Sequence, residues 1–367
     1  MKLVILQSNF AKALGQISRI VGTRTTLPVL SNVLITAAKG KIKFSATDLE
    51  VGITTFTIGK IEEEGALTLP ARLLSDFILN NRDGSIEIST EGTIATLKSA
   101  RYEATIHGIA AEEFPTVPES PKESLAKIPA KELIDALKKT VFAAATDETR
   151  PALAGIFFQF DGSTLTLAAT DSYRLAEKKL TLTQSVAEKK IIVPARTMNE
   201  VMRIAGTDDG SDILISPEEN QIAFKIGDTI IISRLIEGAF PPYQQIIPTD
   251  FKVTAKAPLS ELLQAVKMSS LFAKDSKNNN VKISLDDKTL TVASIISQAG
   301  SANSKVPAEI SGGGLEITFN ARYVLDILNV LSDEKIEFDF NDGSTAGVVK
   351  SASDDQYLYI IMPVRVE

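Results

Sequence analysis

Three copies of one pattern constrain this chain more than anything else in it. Leu69-Pro70-Ala71-Arg72, Val193-Pro194-Ala195-Arg196 and Phe319-Asn320-Ala321-Arg322 each precede apolar residues at helical period, and they recur at spacings of 124 and 126 residues. A second marker keeps that period: Ala46-Thr47-Asp48, Ala169-Thr170-Asp171 and a weaker Ala293-Ser294-Ile295. A third, Phe114-Pro115 and Phe240-Pro241, closes the first two copies. One tripeptide would mean little. Several markers in fixed order at a fixed period are the signature of a repeated structural unit. Pro115 to Pro121 and Pro241 to Pro248 read as linkers, which sets three domains at 1–120, 121–247 and 248–367, each near the commonest domain size.

Each copy predicts the same order of elements. Phe10, Leu14, Ile17 and Val21 share one face of a first helix, with Ser8 or Asn9 as its cap. Leu133, Leu137 and Val141 repeat the stripe, as do Leu259, Leu262, Leu263 and Val266. Alternating strands follow: Ile156, Phe158 and Phe160, a turn at Asp161-Gly162, then Leu165 and Leu167. A second helix follows each Ala-Arg pair, with Pro70 and Pro194 in its first turn, where a missing N–H costs nothing. Ile86 and Ile88, Ile213 and Ile215, and Ile336 and Phe338 mark the closing strands. The expected class is α+β, with two helices per repeat on one face of antiparallel sheet.

The net charge of −7 argues against a general nucleic-acid binder, so the placement of the 39 Lys and Arg decides. The first helices carry Lys12 and Arg19, then Lys131, Lys138 and Lys139, then Lys267, with Lys274 just beyond. The second helices carry Arg72, Arg82, Arg196, Arg203 and Arg322. On one helix this would be an ordinary solvated face, because Asp76, Asp135, Glu200, Glu261 and Asp326 share those helices. Repetition gathers the cations on a common side, while Glu62 to Glu64, Glu112-Glu113, Asp208-Asp209, Glu218-Glu219 and Asp354-Asp355 fall in expected loops. A basic face attracts phosphates by counterion release without reading sequence, and nothing here suggests base readout. Size adds a constraint. A module of this length is ~35 Å across by the radius-of-gyration scaling, so six in a hexagon leave a gap of ~35 Å and three leave almost none. A duplex of ~20 Å therefore needs two chains.

Arg24-Thr25-Thr26-Leu27-Pro28-Val29-Leu30-Ser31-Asn32, Gly40 to Glu50, Thr170-Asp171-Ser172-Tyr173-Arg174-Leu175-Ala176, Val193-Pro194-Ala195-Arg196, Phe240-Pro241-Pro242-Tyr243 and Tyr359-Ile360-Ile361-Met362-Pro363-Val364-Arg365 together resemble the bacterial beta sliding clamps of DNA polymerase III, over the whole chain. The resemblance implies a clamp fold that closes as a head-to-tail homodimer around duplex DNA without sequence specificity. It implies a processivity factor, opened by a clamp loader, that tethers the replicative polymerase and other proteins bearing a clamp-binding motif. It places Arg24 and Arg150 near DNA. It places a partner-peptide pocket at Leu153, Thr170, Tyr173, Arg174, Leu175, Pro241, Ile246, Ile360, Met362, Pro363, Val364 and Arg365. It places the dimer contact on the strand Arg101 to Ile109, with Ala104 and Ile106, and on Leu271 and Phe272. The DNA-facing set is then Lys12, Arg19, Arg24, Arg72, Lys138, Lys139, Arg150, Arg196, Arg203 and Lys267. Two departures stand out. Pro151 and Ala152 follow Arg150 where many members carry aromatics, and Ser172-Tyr173 stands where Gly-His is common.

Catalytic chemistry is not expected. Without cysteine there is no disulfide, thiolate nucleophile or Cys-based zinc site. The sole histidine, His107, reads as a surface or interface residue in a strand. There is no phosphate loop, no dinucleotide fingerprint and no nucleophile elbow. Asp208-Asp209-Gly210 lacks a calcium-loop pattern, and Gly312-Gly313-Gly314 reads as a turn; no cofactor or metal is expected. The first residues turn polar too soon for a signal peptide, and no apolar run approaches a membrane span, so a cytoplasmic location is expected. Two other classes stay open. Asp48 and Asp171 recur in equivalent places and could serve a hydrolase, although Asp favours turns. A repeat protein that binds only proteins would show no retention on circular DNA.

Overall fold

The apolar stripes become helices in a computed structural model of the chain, which describes residues 1–22, 27–118, 123–147, 149–207, 210–273, 279–294 and 300–364. Among the singled-out positions, Arg24, Pro121, Asp208, Asp209, Lys274, Ile295 and Arg365 lie outside the described residues. Six α-helices fall among the described ones: α1 (Gln7–Ile17), α2 (Ala71–Asn80), α3 (Ala130–Thr140), α4 (Ala195–Ala205), α5 (Leu259–Ala273) and α6 (Ala321–Val330). Each starts on the residue after a strand ends. That abrupt change of backbone moves the caps expected from sequence. Leu6, the last strand residue, caps α1 without a side-chain bond, so Ser8 and Asn9 lie inside the helix. Pro70 ends its strand and sits at the cap of α2, one position before the first turn, and Pro194 likewise ends the strand before α4. At α6 a side chain serves: Asn320 Oδ1 accepts the Arg322 N–H.

The chain packs as two compact units, Met1–Lys131 with Asn199–Leu235, and Glu132–Met198 with Ile236–Glu367. The middle repeat is shared between them, because in each unit a sheet runs on across a repeat boundary. In the first unit, an eight-stranded antiparallel sheet joins Thr229–Arg234 to Val51–Thr57 through Thr229↔Thr55 to Ser233↔Val51. In the second, a seven-stranded sheet joins Arg174–Pro194 to Tyr357–Ile361 through Arg174↔Ile361 to Lys178↔Tyr357. The first unit also holds a five-stranded sheet ending at Glu103–His107, and the second a four-stranded sheet ending at Asn303–Pro307.

The stripes bury as their period demands. α1 packs on α2 and α5 on α6. α1 buries Phe10, Ala13, Leu14 and Ile17, with the Phe10 and Phe44 ring centres 5.2 Å apart. Burying each large side chain of this kind is worth about 1.5–3 kcal/mol. Val21 falls off the stripe because α1 ends at Ile17 and a 3-10 turn, Ser18–Ile20, puts Ile20 into the core instead. Phe158, Phe160, Leu165 and Leu167 are all fully buried. Yet no hairpin forms at Asp161-Gly162. Gly155–Thr170 is one long strand, with the register shifting around Gly162, whose φ is +57°. Its partner strand continues alongside, so the glycine makes a bulge and the chain reverses at Asp171.

Two acidic sites differ from solvated loops. Glu62 lies in the edge strand Lys60–Glu63 and bonds Lys60 and Lys2, which hold its carboxyl down to about 2. Asp354 accepts from Lys139 Nζ at 2.8 Å and Lys178 Nζ at 2.6 Å. Burial alone would push the Asp354 carboxyl up, but the two lysines outweigh it and hold it below the usual range. A depressed carboxyl contributes stability that is present above its unfolded value, about 3.9, and is lost as pH falls through the lower folded value. Thermal unfolding followed from neutral to acid pH should show Asp354→Asn about 2 kcal/mol less stable at neutrality, the scale of a lost hydrogen bond to a charged group. The variant should also show a smaller further loss below about pH 4. Parallel acid profiles for variant and parent would contradict this role.

Candidate partner groove and cationic helix faces

One turn, built twice, begins the site. Thr170 Oγ1 donates to the Arg174 carbonyl at 2.6 Å and accepts the Ser172 N–H at 3.1 Å, while Asp171 Oδ1 accepts the N–H groups of Tyr173 and Arg174. In the first repeat, Thr47 bonds the Val51 carbonyl and the Leu49 N–H, and Asp48 Oδ1 accepts from Glu50 and Val51. Ser172 and Leu49 both take φ +77°. The recurring Thr-Asp pair is therefore turn chemistry, side chains standing in for backbone partners, and both aspartates are spent on it.

Arg174 leaves that turn for the interior. It is 6% exposed. Nε meets Asp171 at 3.0 Å, Nη1 meets Asp326 at 2.5 Å, and Nη2 donates to the Phe142 carbonyl at 2.6 Å. The guanidinium lies 4.4 Å from the Tyr323 ring centre, a cation–π contact. Three of its N–H groups are thus taken up inside the protein.

Beside it opens an apolar groove of about 330 Å³, lined by Thr170, Ser172, Arg174, Leu175, Pro241, Pro242, Tyr243, Gln245, Ile246, Ile360 and Met362. Ile246 is 59% and Met362 39% exposed, so two large apolar side chains face solvent at one hollow. Leu175 and Ile360 belong to the buried cluster beneath, with Ala168, Tyr243 and Val348. Tyr243 is buried and donates to Glu177 Oε2 at 2.5 Å. Burial first, then Glu177, push its phenol well above the usual value. The segment that reads as a linker from sequence is thus a wall of the groove. Its signal was an aromatic residue following two prolines. Ser172, Pro242, Tyr243 and Gln245 were missed as groove residues. Leu153 and Tyr173 line an adjoining polar hollow of about 480 Å³ instead. Pro363 and Val364 do not line the groove, and Val364 donates its N–H to the Thr318 carbonyl.

The cationic candidates divide by what holds them. Lys12, Arg19, Arg72, Lys138, Arg150, Arg196 and Lys267 are exposed. Lys139 is not available: its side chain is 11% exposed and pairs with Asp135 and Asp354. Arg203 donates to the Gly15 and Gln16 carbonyls and pairs with Glu200, bonding α4 to the end of α1. In both, the charge is matched by partners within the protein.

At Glu103–His107, Ile106 is 3% exposed and faces its own core, so it offers no apolar surface to a partner. Glu103, Thr105 and His107 face out, and Ala104 is half-buried. Among the described residues this strand has one unpaired edge, near exposed Ile94 and Tyr102. In the second unit, Asn303–Pro307 is likewise a sheet edge, and α5 exposes Met268 and Leu271, with Phe272 half-buried.

Taken together, these features suit a protein that acts by binding and holding. Models of the DNA polymerase III beta subunit match the N-terminal domain at residues 1–118, the central domain at 127–242 and the C-terminal domain at 244–365. The beta sliding clamp of Synechococcus elongatus is 33% identical over the full length of both chains, and that of Staphylococcus aureus is 30% identical over all of this chain and 99% of its own. The sliding clamp of Bacillus subtilis superposes with a TM-score of 0.95 at 29% identity, covering all of both chains. That of Pseudomonas aeruginosa, solved bound to griselimycin, gives 0.94 at 29% over the same full coverage. The chain belongs to the DNA polymerase III beta subunit family, the beta sliding clamps. Members of that family are non-catalytic subunits of the polymerase. No described helix is long and apolar enough to cross a membrane.

Proposed function

We propose that two copies of this chain close head to tail into a ring around duplex DNA in the cytoplasm, with domains at 1–120, 121–247 and 248–367 in each. A clamp loader opens the ring, and the replicative polymerase and other clamp-binding proteins dock in the apolar groove. The observation that carries the DNA contact is an exposed arginine at the second residue of α2, α4 and α6: Arg72, Arg196 and Arg322. A cation in a helix's first turn opposes the macrodipole and costs about 0.3–1 kcal/mol. Three such placements at one repeat position suit an external polyanion better than they suit the helices. With Lys12, Arg19, Lys138, Arg150 and Lys267 they are the cations that meet the phosphates. Phosphate contacts of that kind have no preferred register, so the ring slides. Closure pairs the free edge Glu103–His107 of one protomer with Asn303–Pro307 of the other, while Leu271 and Phe272 cover the apolar side. Tethering then raises the local concentration of the polymerase at the template.

The groove is tested by fluorescence anisotropy with a short peptide bearing two large apolar side chains. Ile246→Asp puts a charge on the exposed groove wall and should weaken binding at least tenfold. It should also shorten the products of clamp-dependent primer extension, with no change in thermal stability. Unaltered affinity would show that the groove is not the docking site.

A further inference from the structure

The two sides of the apolar groove are held in different ways. On one side, Met362 follows the strand Tyr357–Ile361, which pairs with Arg174–Pro194, and its N–H reaches the Tyr173 carbonyl at 2.8 Å. The other side is the segment 237–251, which brings Pro241, Gln245 and Ile246 to the groove. Its backbone bonds stay within itself: the N–H groups of Tyr243, Gln245 and Ile247 go to the carbonyls of Pro241, Pro242 and Gln244. Pro241, Pro242 and Pro248 have no N–H to give. Among the described residues, one hydrogen bond ties this segment to the rest of the protein, from the Tyr243 hydroxyl to Glu177 Oε2 at 2.5 Å. Elsewhere the hold is apolar. Phe240 stacks on Phe157 with ring centres 5.0 Å apart, and meets Tyr243 edge-on at 6.0 Å.

Glu177 is placed for that bond. It lies two residues beyond Leu175 in the same strand, so both side chains take one face, the face on which Leu175 and Tyr243 pack together. Lys179 Nζ stands 3.5 Å from Oε1, which leaves Oε2 to the phenol. A buried carboxylate is a poor choice for packing alone, where an aliphatic residue would serve better. Tyr243 in turn opens the 3-10 turn Tyr243–Ile246, whose last residue is the exposed Ile246. One 3-10 turn separates the two, so fixing the ring fixes where Ile246 stands.

We propose that Glu177 is a positioning residue of the partner groove: by holding the Tyr243 hydroxyl it sets the wall that Ile246 presents to an incoming apolar side chain. This rests on the groove being the partner site.

The test uses the full-length protein and a labelled peptide with two large apolar side chains, read by anisotropy, with thermal unfolding on the same samples. Tyr243→Phe, which keeps the ring, and Glu177→Ala should each weaken binding about five- to tenfold, the scale of one hydrogen bond. The double variant should bind no worse than the poorer single one, because both remove the same bond. Glu177→Gln still offers an acceptor and should recover most of the loss. If Glu177→Ala does not fold, Tyr243→Phe and Glu177→Gln carry the comparison. The wall is read separately. Ile246→Ala should cost the parent about tenfold and the Tyr243→Phe protein no more than about twofold, whereas Met362→Ala should cost both alike. A general loosening of the fold would not single out Ile246. Parental affinity in Tyr243→Phe, losses that add in the double variant, or an equal cost of Ile246→Ala in both proteins would overturn the proposal. If the parent itself binds no peptide, the groove reading has failed and takes this one with it. If the parent binds and Ile246→Asp does not, the groove stands and Tyr243→Phe alone decides the role of Glu177.

Discussion

Arg174→Ala destabilises its unit by about 3 kcal/mol and abolishes peptide binding in the groove. The substitution removes one buried guanidinium and leaves three acceptors without it: Asp171, Asp326 and the Phe142 carbonyl. Asp326 is 28% exposed and recovers some hydration, which sets the value at the low end for breaking a buried ion pair. The Phe142 and Tyr323 rings also lose the cation between them. The groove fails for a different reason. Arg174 is part of its lining, and the Thr170–Arg174 turn that shapes its rim is tied to α6 through Asp326. Arg174→Lys keeps the charge but cannot reach three acceptors as a planar fork does, so it should recover less than half of the lost stability. Denaturant unfolding with anisotropy on the same samples checks both effects. A stable Arg174→Ala protein that binds peptide normally would remove Arg174 from the account.

Leu271→Asp is expected to separate the protomers, raising the dimer dissociation constant at least a hundredfold, read by sedimentation velocity. Leu271 is 56% exposed near the end of α5, beside exposed Met268 and half-buried Phe272. An aspartate there would have to be buried in the closed ring without a partner, at a cost of several kcal/mol. The isolated chain leaves that side chain in water, so its thermal stability should be unchanged. Ile106→Asp, by contrast, should unfold the first unit, because that side chain is already in its core.

How much of this was readable beforehand follows from the range of each interaction. The repeat was legible because its markers act locally: Thr47 and Asp48, or Thr170 and Asp171, bond backbone groups two to four residues away. The helices were legible because α1 needs only Phe10, Leu14 and Ile17 on one face. Strand partners were not. Nothing in Val51–Thr57 marks Thr229–Arg234 as its neighbour, since alternation fixes which face a residue takes and is silent on what it pairs with. The same range hides the partners of two cations. Lys139 looks like one more exposed helical lysine until Asp354 arrives from more than two hundred residues on. Arg203 is taken up by the carbonyls of Gly15 and Gln16, which no spacing announces. Tyr243 passed for linker because its partner, Glu177, is 66 residues away. Ile106 could have been placed correctly, for the outward faces of Glu103, Thr105 and His107 leave it pointing in.

Topological capture of the duplex is what everything else serves. The protein should be loaded by a clamp loader on a nicked circular duplex, freed of unbound protein, and the circle then cut once. Retention on the intact circle through high salt, followed by prompt loss after linearisation, is the predicted result, and Leu271→Asp should show no retention at either stage. Protein that stays on the linear DNA, or that leaves the uncut circle as soon as salt is raised, would contradict the account.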